Sequence, residues 1–505
     1  METDLVATLP AARRVKSAPR LQWPRNLSRS ASSSPVTTTP GTETPVSSTN
    51  ALAAAVPEVK SPKRQSVLAN RMSFWGNKSN SSLGDHNLTW GASTDRGYRN
   101  TVTPGTLGLS VTKEPIHHAL EDCYWPTQQR VEGFEGPTRF WVLADGHGGE
   151  SAAQFFVARC VEHVKALMKE EDWDFDEIAN RERFQQKIQR LFQSMDQEFC
   201  NAKTAQYREW VRAGSEPSLR PIDDGCTLQL ILLHRNYFAV ANVGDTRTVI
   251  AARPASLRPP QPQRNGNWQL VFGTEDHDMT HPERVFFISS AGGQFVNHLG
   301  QILPISVQAP SVRGRRPYTE LTGGRIYRPP VSVGDAVRKL GISYRRTLNL
   351  TASLGDLVFK LEPPVLSSAP DVSFVLLEPR NDYIIVSATD GLWDHLRVQG
   401  AHQNDTVMEW IGYQLDGSNG KQPYVDDRSD SGYTTDDEEL AASGSGRPDR
   451  RSNGTTTLQS RIDTAAAGLA TRERKGGDAL YHQKMVRYDD CTAIIMHLRA
   501  NESAK

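Results

Sequence analysis

The chain has 505 residues, with 58 basic and 58 acidic residues and a formal net charge of zero. That balance gives no support for a nucleic-acid or membrane-surface partner, since both usually need a basic excess, and no apolar run approaches the roughly 18–20 residues of a membrane span. The five scattered cysteines include no CxxC pair, which argues against a disulfide framework or structural zinc and predicts a reducing compartment, the cytoplasm or nucleus.

Residues 1 to about 95 are predicted to form a disordered tail. They are dominated by Ser, Thr, Pro and Ala with added basic residues, and such a composition buries too little apolar surface to offset chain entropy. Hydrophobic islands such as residues 88–90 could dock on a folded body, but a tail without a fixed partner is favoured. The Arg- and Ser-rich start is also compatible with a mitochondrial transit peptide, against which Glu2 and Asp4 count.

A folded domain is predicted over residues 96–499. Residues 107–111 predict a strand, and residues 131–144 predict a turn followed by a strong strand. From Glu150 apolar residues recur at spacings of three and four, which predicts a helix, and a second helix covers about 183–200. Core packing explains both helices better than ligand binding does.

Further strands follow along the chain and define the fold class. They cover residues 227–233, 237–243, 247–252, 270–272 (a short edge strand), 372–377, 383–387 and 491–496. A helix over about 458–469 precedes the last of them. Antiparallel strands with helices set apart favour an α+β layered domain over a wound βαβ sheet.

Two insertions interrupt this pattern. Residues 295–349 have weak periodicity, many Gly, Pro and Arg residues and no clear core, which predicts a long surface insertion or flap. Residues 415–457 are acidic and rich in Ser and Gly, and we predict that they are disordered.

Carboxylates stand at the ends of apolar strands in distant parts of the chain. Asp145 ends one such strand and is followed by Gly146 and His147, Asp390 ends another, and Asp489 precedes the last. A single Asp-Gly at a strand end is usually a turn. Several carboxylates that converge from remote strands, with a histidine beside the first, predict a site for a hard metal ion.

Mg²⁺ and Mn²⁺ both prefer oxygen ligands, so the sequence does not choose between them. The candidate ligands are Glu121, Asp122, Asp145, Asp390 and Asp489, with the carbonyl of Gly146. Two ions roughly 3.5–4 Å apart would clamp a phosphate and acidify a bridging water. His147 would donate a proton to the leaving oxygen, because imidazole titrates near neutrality.

In sequence order these segments resemble the metal-dependent PP2C (PPM) family of serine/threonine protein phosphatases. The matching segments are Glu121-Asp122, 141–149, Gly225-Cys226-Thr227, 241–247, Asp276-His277 with Pro282 and Ala291-Gly292-Gly293, 350–356, 389–394 and Asp489-Asp490-Cys491-Thr492. They cover most of residues 107–499. Each motif alone is modest, but eight in family order are highly specific.

The resemblance implies an α+β fold, a four-layer αββα sandwich of two antiparallel β-sheets flanked by helices. It also implies two metal ions, Mg²⁺ or Mn²⁺, held between the sheets. Glu121, Asp145 and the Gly146 carbonyl would bind one ion. Asp145, Asp390 and Asp489 would bind the other.

The resemblance also assigns the carboxylates around these ions. Asp122 would orient a metal-bound water. Asp245 would join Asp390 at a weaker third metal site, although a turn carboxylate bonded to Arg247 is nearly as well supported. For Asp356 a turn role is favoured over a catalytic one.

The chain departs from the family four residues before Glu121. The family often has an arginine there that grips the phosphate, and this chain has His117. A histidine is a weaker, pH-dependent anion partner that lacks the guanidinium fork. We place His117 in the catalytic site, where His118, Lys113 or an arginine from the insertion could compensate.

Three other departures fall at positions that are mostly structural. Ala352 replaces the arginine of the Thr-Arg-Ser block, and Asp278 and Phe287 replace basic residues of the Asp-His block. All the core metal carboxylates remain, whereas a pseudo-enzyme would typically lose one or more.

The function implied is a monomeric phosphatase that acts on phosphoprotein substrates, with no nucleic-acid partner and no membrane span. The alternative is a catalytically weak or inactive PP2C-like binding module, in which His117 and the insertions mark a repurposed surface. The chain contains no GxxxxGK[ST] phosphate loop, GxSxG elbow or Cys-x5-Arg cradle, so other nucleotide, serine or cysteine chemistries are disfavoured.

Overall fold

The computed structural model describes residues 86–105, 108–117, 119–127, 137–258, 267–304, 318–329, 339–342, 346–396, 398, 400–416, 457–471 and 487–501. Within them, the side chains of residues 98–117, 401, 487 and 488 are not described. The predicted tail up to residue 85 and most of the predicted acidic insertion lie outside these ranges.

The strands are β1 (His86–Asp95), β2 (Tyr98–Gly105), β3 (Gly108–His117), β4 (Cys123–Trp125), β5 (Thr138–Ala144), β6 (Gly146–His147), β7 (Gly225–Cys226), β8 (Leu228–His234), β9 (Tyr237–Val243), β10 (Arg247–Pro254), β11 (Gln269–Gly273), β12 (Gln294–Val296), β13 (Arg325–Tyr327), β14 (Thr347–Leu348), β15 (Leu354–Gly355), β16 (Asp371–Leu376), β17 (Asn381–Ala388), β18 (Arg487–Tyr488) and β19 (Cys491–Ala500). The longer helices are α1 (Ser151–Glu170), α2 (Ile178–Arg212), α3 (Pro282–Ser290), α4 (Gln403–Leu415) and α5 (Leu458–Thr471). Single helical turns cover Leu357–Lys360 and Asp390–Trp393.

Two five-stranded sheets form the centre of the fold. One has the order β1-β19-β17-β10-β11 and the other β16-β9-β8-β5-β4. Their strand pairings are antiparallel. The structure thus confirms the predicted α+β class of antiparallel sheets flanked by helices, and β11 is an edge strand as predicted.

Alternation along β5 shows how the layers stack. Phe140 and Val142 belong to an apolar cluster with α1 and α2, whereas Trp141 and Leu143 belong to a cluster shared by the two sheets. On the far side of the β1-β19-β17-β10-β11 sheet, another cluster joins β10, β17 and β19 to α4 and α5. Because successive side chains of a strand point to opposite faces, each sheet is covered by helices on one side and by the other sheet on the other.

The predicted end of the disordered tail, at about residue 95, is wrong. The strand β1 pairs with β19 along its whole length, from His86 opposite Ala500 to Asp95 opposite Cys491. Leu88, Trp90 and Ala92 pack on the core between the sheets. The prediction failed because a period-of-two pattern this near the start of the chain finds its partner only at the far end.

The predicted lack of a core in the 295–349 insertion is also wrong. Its strands β12, β13 and β14 form a small antiparallel sheet. Phe295, Leu321 and Ile326 are buried there in one cluster with residues of α2 and α3. The strands are two or three residues long, which is too short to show a periodic pattern.

The long helices α1, α2 and α5 confirm the three predicted helices, and α2 extends further than predicted in both directions. The sequence pattern did not single out α3 or α4. Across the described ranges, none of the helices combines the length and hydropathy needed to cross a bilayer.

Candidate active site

The predicted carboxylates meet where strands of the two sheets end. Asp145 follows β5 of one sheet, and Asp390 and Asp489 lie at the matching ends of β17 and β19 in the other. These two strands are neighbours, with Ala388 opposite Ala493. The side chains of Asp145 and Asp390 lie close enough for the charge of Asp390 to raise the pKa of Asp145. The two sheets therefore deliver acidic side chains from three remote segments to one place.

Close backbone contacts bring the Glu121 segment to the same place. A β-carbon at position 146 would overlap the carbonyl oxygen of Glu121, so only glycine fits there. The side chain of Asp490 accepts hydrogen bonds from the backbone N–H groups of Glu121 and Gly97, each at 2.6 Å. Gly391 packs on the carbonyl of Asp490 in the same way as Gly146 packs on Glu121. Asp490 therefore holds the Glu121 segment against the Asp390 and Asp489 ends.

Asp122 is a buried carboxylate beside this cluster. Its Oδ2 accepts hydrogen bonds from the hydroxyls of Thr389 at 3.1 Å and Thr492 at 2.7 Å. Its Oδ1 has no hydrogen-bond partner among the described residues. Burial, together with the charges of Asp490 and Asp489, raises the pKa of Asp122 to about 7, against the lowering effect of the two threonine hydroxyls. The surroundings of Asp122 therefore satisfy one carboxylate oxygen, Oδ2, and leave the other, Oδ1, without a hydrogen-bond donor among the described residues.

Mutual repulsion is the main electrostatic feature of the cluster. Burial, followed by the charges of Asp390 and Asp122, raises the pKa of Asp145 well above its usual value. Burial, followed by the charges of Asp245 and Asp394, does the same for Asp390. Like charges at close range and low dielectric disfavour ionisation unless a counter-charge is present. Among the described side chains, the charged groups that act most strongly on Asp145 and Asp390 are themselves carboxylates.

A divalent cation fits this donor set, because Mg²⁺ and Mn²⁺ take oxygen ligands and would relieve the repulsion. Within the described ranges, no three His, Cys, Asp or Glu side chains already stand at positions that would enclose an ion. The fit therefore rests on the chemistry and charge of the donors and on the unpartnered Oδ1 of Asp122.

Asp245 lies at the turn between β9 and β10. The sequence left open a bond between Asp245 and Arg247. In the structure Arg247 pairs instead with Asp276: its Nε lies 3.0 Å from Oδ1 of Asp276, and its Nη2 lies 2.5 Å from Oδ2. Burial, followed by the charge of Asp276, raises the pKa of Asp245 to about 7. His277 supports the turn from behind, since its Nδ1 accepts the N–H of Gly244 at 3.0 Å. Asp245 is therefore available to the carboxylate cluster.

A three-stranded miniature sheet places His147. Across β6, β7 and β15, His147 lies opposite Gly225, and Gly225 lies opposite Gly355. The next residue, Asp356, adopts the left-handed conformation with φ 53° and turns its side chain back towards His147. Gly225 leaves the space that this carboxylate occupies.

The imidazole of His147 is held by a fully buried carboxylate. Nε2 of His147 lies 2.9 Å and 3.0 Å from the two carboxylate oxygens of Asp356. Asp356 also accepts the hydroxyl of Ser353 at 2.6 Å and pairs with Arg346 at 2.8 Å. Burial acts to raise the pKa of Asp356, but His147, Arg346 and Ser353 together lower it to about 2. Asp356 is therefore an anion, and Nδ1 is the ring nitrogen of His147 left for chemistry.

Sequence reasoning underrated Asp356 and did not identify Arg346. Asp356 does adopt a turn conformation, so the predicted turn role is incomplete rather than mistaken. The signal that could have found it is the glycine at 225, which only the three-dimensional pairing of β7 with β15 connects to Asp356.

The phosphate-binding substitutes named from the sequence lie mostly outside the described side chains. His117 ends β3, where its backbone pairs with Tyr98, but its side chain is not described, and the same holds for Lys113. His118 lies outside the described residues. Among the described arginines of the insertion, Arg346 reaches the site, where it contacts Asp356 and the carbonyl of His147.

The family model and the curated relatives that match this chain carry the same family description. The family model described as Protein phosphatase 2C matches residues 117–411. The chain is similar to a probable protein phosphatase 2C 42 from Oryza sativa subsp. japonica, with 24% identity over 67% of this chain and 77% of the relative. It is also similar to a probable protein phosphatase 2C 67 from Arabidopsis thaliana, with 26% identity over 53% of this chain and 61% of that relative.

A solved structure resembles the chain more loosely. A crystal structure of serine-threonine phosphatase 2C from Toxoplasma gondii is 16% identical, with a TM-score of 0.40 over 81% of this chain and 99% of that one. The sequence match to the family model, which covers more than half of the chain, is the stronger observation.

Proposed function

The chain belongs to the protein phosphatase 2C family, and on that premise we infer that it removes phosphate from phosphoserine and phosphothreonine in proteins. The family implies dependence on a divalent metal. Two bound Mg²⁺ or Mn²⁺ ions, with a weaker third, would acidify the attacking water and offset charge on the phosphoryl group.

The observation that carries the proposal is the convergence of acidic side chains that repel one another. Glu121, Asp145 and the carbonyl of Gly146 would hold one ion. Asp145, Asp390 and Asp489 would hold the other. This division follows the family resemblance and agrees with the packing of Gly146 on Glu121 and with the effect of the Asp390 charge on the pKa of Asp145.

Asp245 is proposed for the weaker third ion. Support comes from the pairing of Arg247 with Asp276, which leaves the Asp245 carboxylate free of that arginine. The charge of Asp245 also raises the pKa of Asp390.

The chain's own proton chemistry centres on His147. In the imidazolium form, Nε2–H donates to Asp356 and Nδ1–H remains for the leaving oxygen. As water attacks phosphorus, the bond to the seryl or threonyl oxygen breaks, and that oxygen takes the Nδ1 proton. Inorganic phosphate and a free hydroxyl result, and His147 regains a proton from solvent. Asp122 accepts two threonine hydroxyls at Oδ2, and its Oδ1, which has no hydrogen-bond partner among the described residues, would orient the attacking water.

The test is phosphate release from a phosphothreonine peptide with Mn²⁺ or Mg²⁺ added and then chelated. Release should require the metal, should return when metal is restored, and should fall by about a hundredfold or more in Asp145→Asn, because ligand and charge are lost together. Asp172→Asn is the matched control, since Asp172 is 83% exposed and pairs with surface Arg235, away from the carboxylate cluster. Metal binding without release would instead support the binding-module alternative.

A further inference from the structure

Arg346 is the residue at which the 295–349 insertion meets the catalytic side chains. It immediately precedes β14, which pairs with β13 in the small sheet of the insertion. Its side chain is 18% exposed. Gly148, with φ 77°, makes room for it, because a β-carbon at that position would lie 3.0 Å from Nη2 of Arg346. The insertion therefore places a guanidinium directly beside the His147 turn.

The guanidinium touches three separate segments. Its Nη2 lies 2.8 Å from Oδ1 of Asp356 and 3.3 Å from the carbonyl oxygen of His147. Its Nη1 lies 3.8 Å from Oδ2 of Asp223, in the loop between α2 and β7. Asp223 in turn accepts the backbone N–H groups of Leu357 and Val358, the two residues after Asp356. Arg346 thus braces both the carboxylate that holds His147 and the backbone around it.

The positive charge of Arg346 helps to keep the buried carboxylate of Asp356 ionised. Asp356 is fully buried, and a buried carboxylate stays ionised only when charged or hydrogen-bonding partners offset its lost hydration. Ser353 supplies a neutral hydrogen bond, and His147 is charged only when protonated. Arg346 is the partner of Asp356 whose charge is permanent.

We infer that Arg346 is a positioning residue, through which the seating of the insertion sets the orientation of the His147 imidazole. This inference rests on the proposed function, because it gives Arg346 a role in the proton donation described above. It also makes the insertion a part of the catalytic apparatus instead of a surface addition. A displaced insertion would withdraw Arg346, weaken the hold of Asp356 and leave His147 free to rotate.

A phosphate-binding role for Arg346 fits the contacts less well. The guanidinium already faces two carboxylates, Asp356 and Asp223, and a substrate phosphate would have to compete with both. A positioning role and a phosphate-binding role make opposite predictions for kcat and KM.

The experiment compares two substrates in Arg346→Met and Arg346→Lys. A phosphothreonine peptide has a poor leaving group that needs the His147 proton, whereas p-nitrophenyl phosphate releases a stable anion that does not. In Arg346→Met, kcat for the peptide should fall by about tenfold or more with little change for p-nitrophenyl phosphate and little change in KM. Arg346→Lys keeps the positive charge but lacks the two-pronged guanidinium. Its kcat for the peptide should lie between those of the wild-type protein and Arg346→Met.

Arg220→Met is the matched control. Arg220 also ties the α2–β7 loop to the insertion, through the carbonyl of Gly341, and it stacks on Trp210, but it does not touch Asp356 or His147. It should leave the ratio of the two rates unchanged. An equal loss on both substrates, an equal loss in Arg220→Met, or a rise in KM at constant kcat would each overturn the inference.

A second readout separates this inference from the phosphatase activity. In metal-free protein labelled with ¹⁵N-histidine, the Nε2–H of His147, identified by its absence in His147→Gln, should give a signal protected from exchange by Asp356. The signal should disappear in Arg346→Met and persist in Arg220→Met. If the wild-type protein releases no phosphate but this pattern holds, the proposed function fails and the positioning role stands. If the signal survives in Arg346→Met, the positioning role fails whatever the activity.

Discussion

The carboxylate of Asp356 occupies the space where a side chain at Gly225 would begin. A β-carbon at position 225 would stand 2.5 Å from Oδ1 of Asp356, and still nearer its other carboxylate atoms. Real β-carbons do not approach a carboxylate so closely, so the absence of a side chain at one residue permits the Asp356–His147 contact. The glycine of the Gly-Cys-Thr segment is thereby tied to the proton donor of the site.

Gly225→Ala is therefore expected to displace Asp356 and release His147. We expect phosphate release from a phosphothreonine peptide to fall at least tenfold, together with a loss of about 1–3 kcal/mol in the free energy of unfolding from overpacking. Gly214→Ala serves as the control, since a β-carbon there meets nothing within 4 Å and only its positive φ, 96°, opposes the change. Wild-type activity in Gly225→Ala would show that the His147–Asp356 contact is dispensable.

Thr492→Val tests how Asp122 is held. The hydroxyl of Thr492 donates to Asp122 at 2.7 Å and bonds the Thr94 hydroxyl at 2.9 Å, and the nearly isosteric valine removes both bonds while keeping the packing. We expect a loss of about 1–3 kcal/mol in unfolding free energy, since a buried carboxylate loses a donor, and a lower kcat from a less ordered Asp122. Urea unfolding and steady-state kinetics measure the two effects. A stability loss without any change in kcat would remove Asp122 from the reaction.

The stability of the metal-free protein should fall as pH rises. Burial and neighbouring charge raise the pKa values of Asp122 and Asp245 to about 7, from about 3.9 for an unperturbed aspartate. A carboxyl whose folded-state pKa is raised stabilises the protein fully below its unfolded pKa, and this contribution is lost as pH rises through the folded value.

Thermal unfolding at several pH values, with and without Mg²⁺, checks this expectation. Without metal, Tm should decrease between about pH 4 and pH 7. The increase in Tm caused by Mg²⁺ should be larger at pH 7.5 than at pH 5.5, because the ion then meets ionised ligands. A metal-induced increase that is independent of pH would count against the carboxylate cluster as the binding site.

Neutralising Asp245 and neutralising Arg247 should change the stability of the protein in opposite directions. In metal-free protein at pH 7.5, Asp245→Asn should raise Tm, because it removes one of the repelling charges. Arg247→Met should lower the unfolding free energy by about 1–3 kcal/mol, because it leaves Asp276 without its bidentate partner. If the two residues formed a pair with each other, both variants would be destabilised.

The sequence predicted the acidic strand ends and the family, and the match to the family model confirms the latter. The strand ends are readable because an apolar run and the carboxylate beside its end are adjacent in the chain. The contact of His147 with Asp356 spans 209 residues, and that of Thr492 with Asp122 spans 370. No local pattern encodes such contacts.

The insertion illustrates a different limit. Its strands are too short for periodicity to reveal, and its core is completed by side chains from α2 and α3. From the sequence alone, Arg346 is therefore one of several arginines in a predicted surface insertion. Only the pairing of β13 with β14 and the space at Gly148 place its guanidinium beside His147.

The dependence of hydrolysis on metal ions held by the carboxylate cluster is tested most directly by a Mn²⁺ titration. The titration is followed in parallel by calorimetry and by phosphate release from a phosphothreonine peptide. We predict that the two titrations have the same midpoint in the wild-type protein, and that in Asp390→Asn both Mn²⁺ affinity and phosphate release are severely reduced. Unchanged Mn²⁺ binding in Asp390→Asn, or phosphate release that persists after chelation, would contradict the claim that the converging carboxylates hold the ions on which hydrolysis depends.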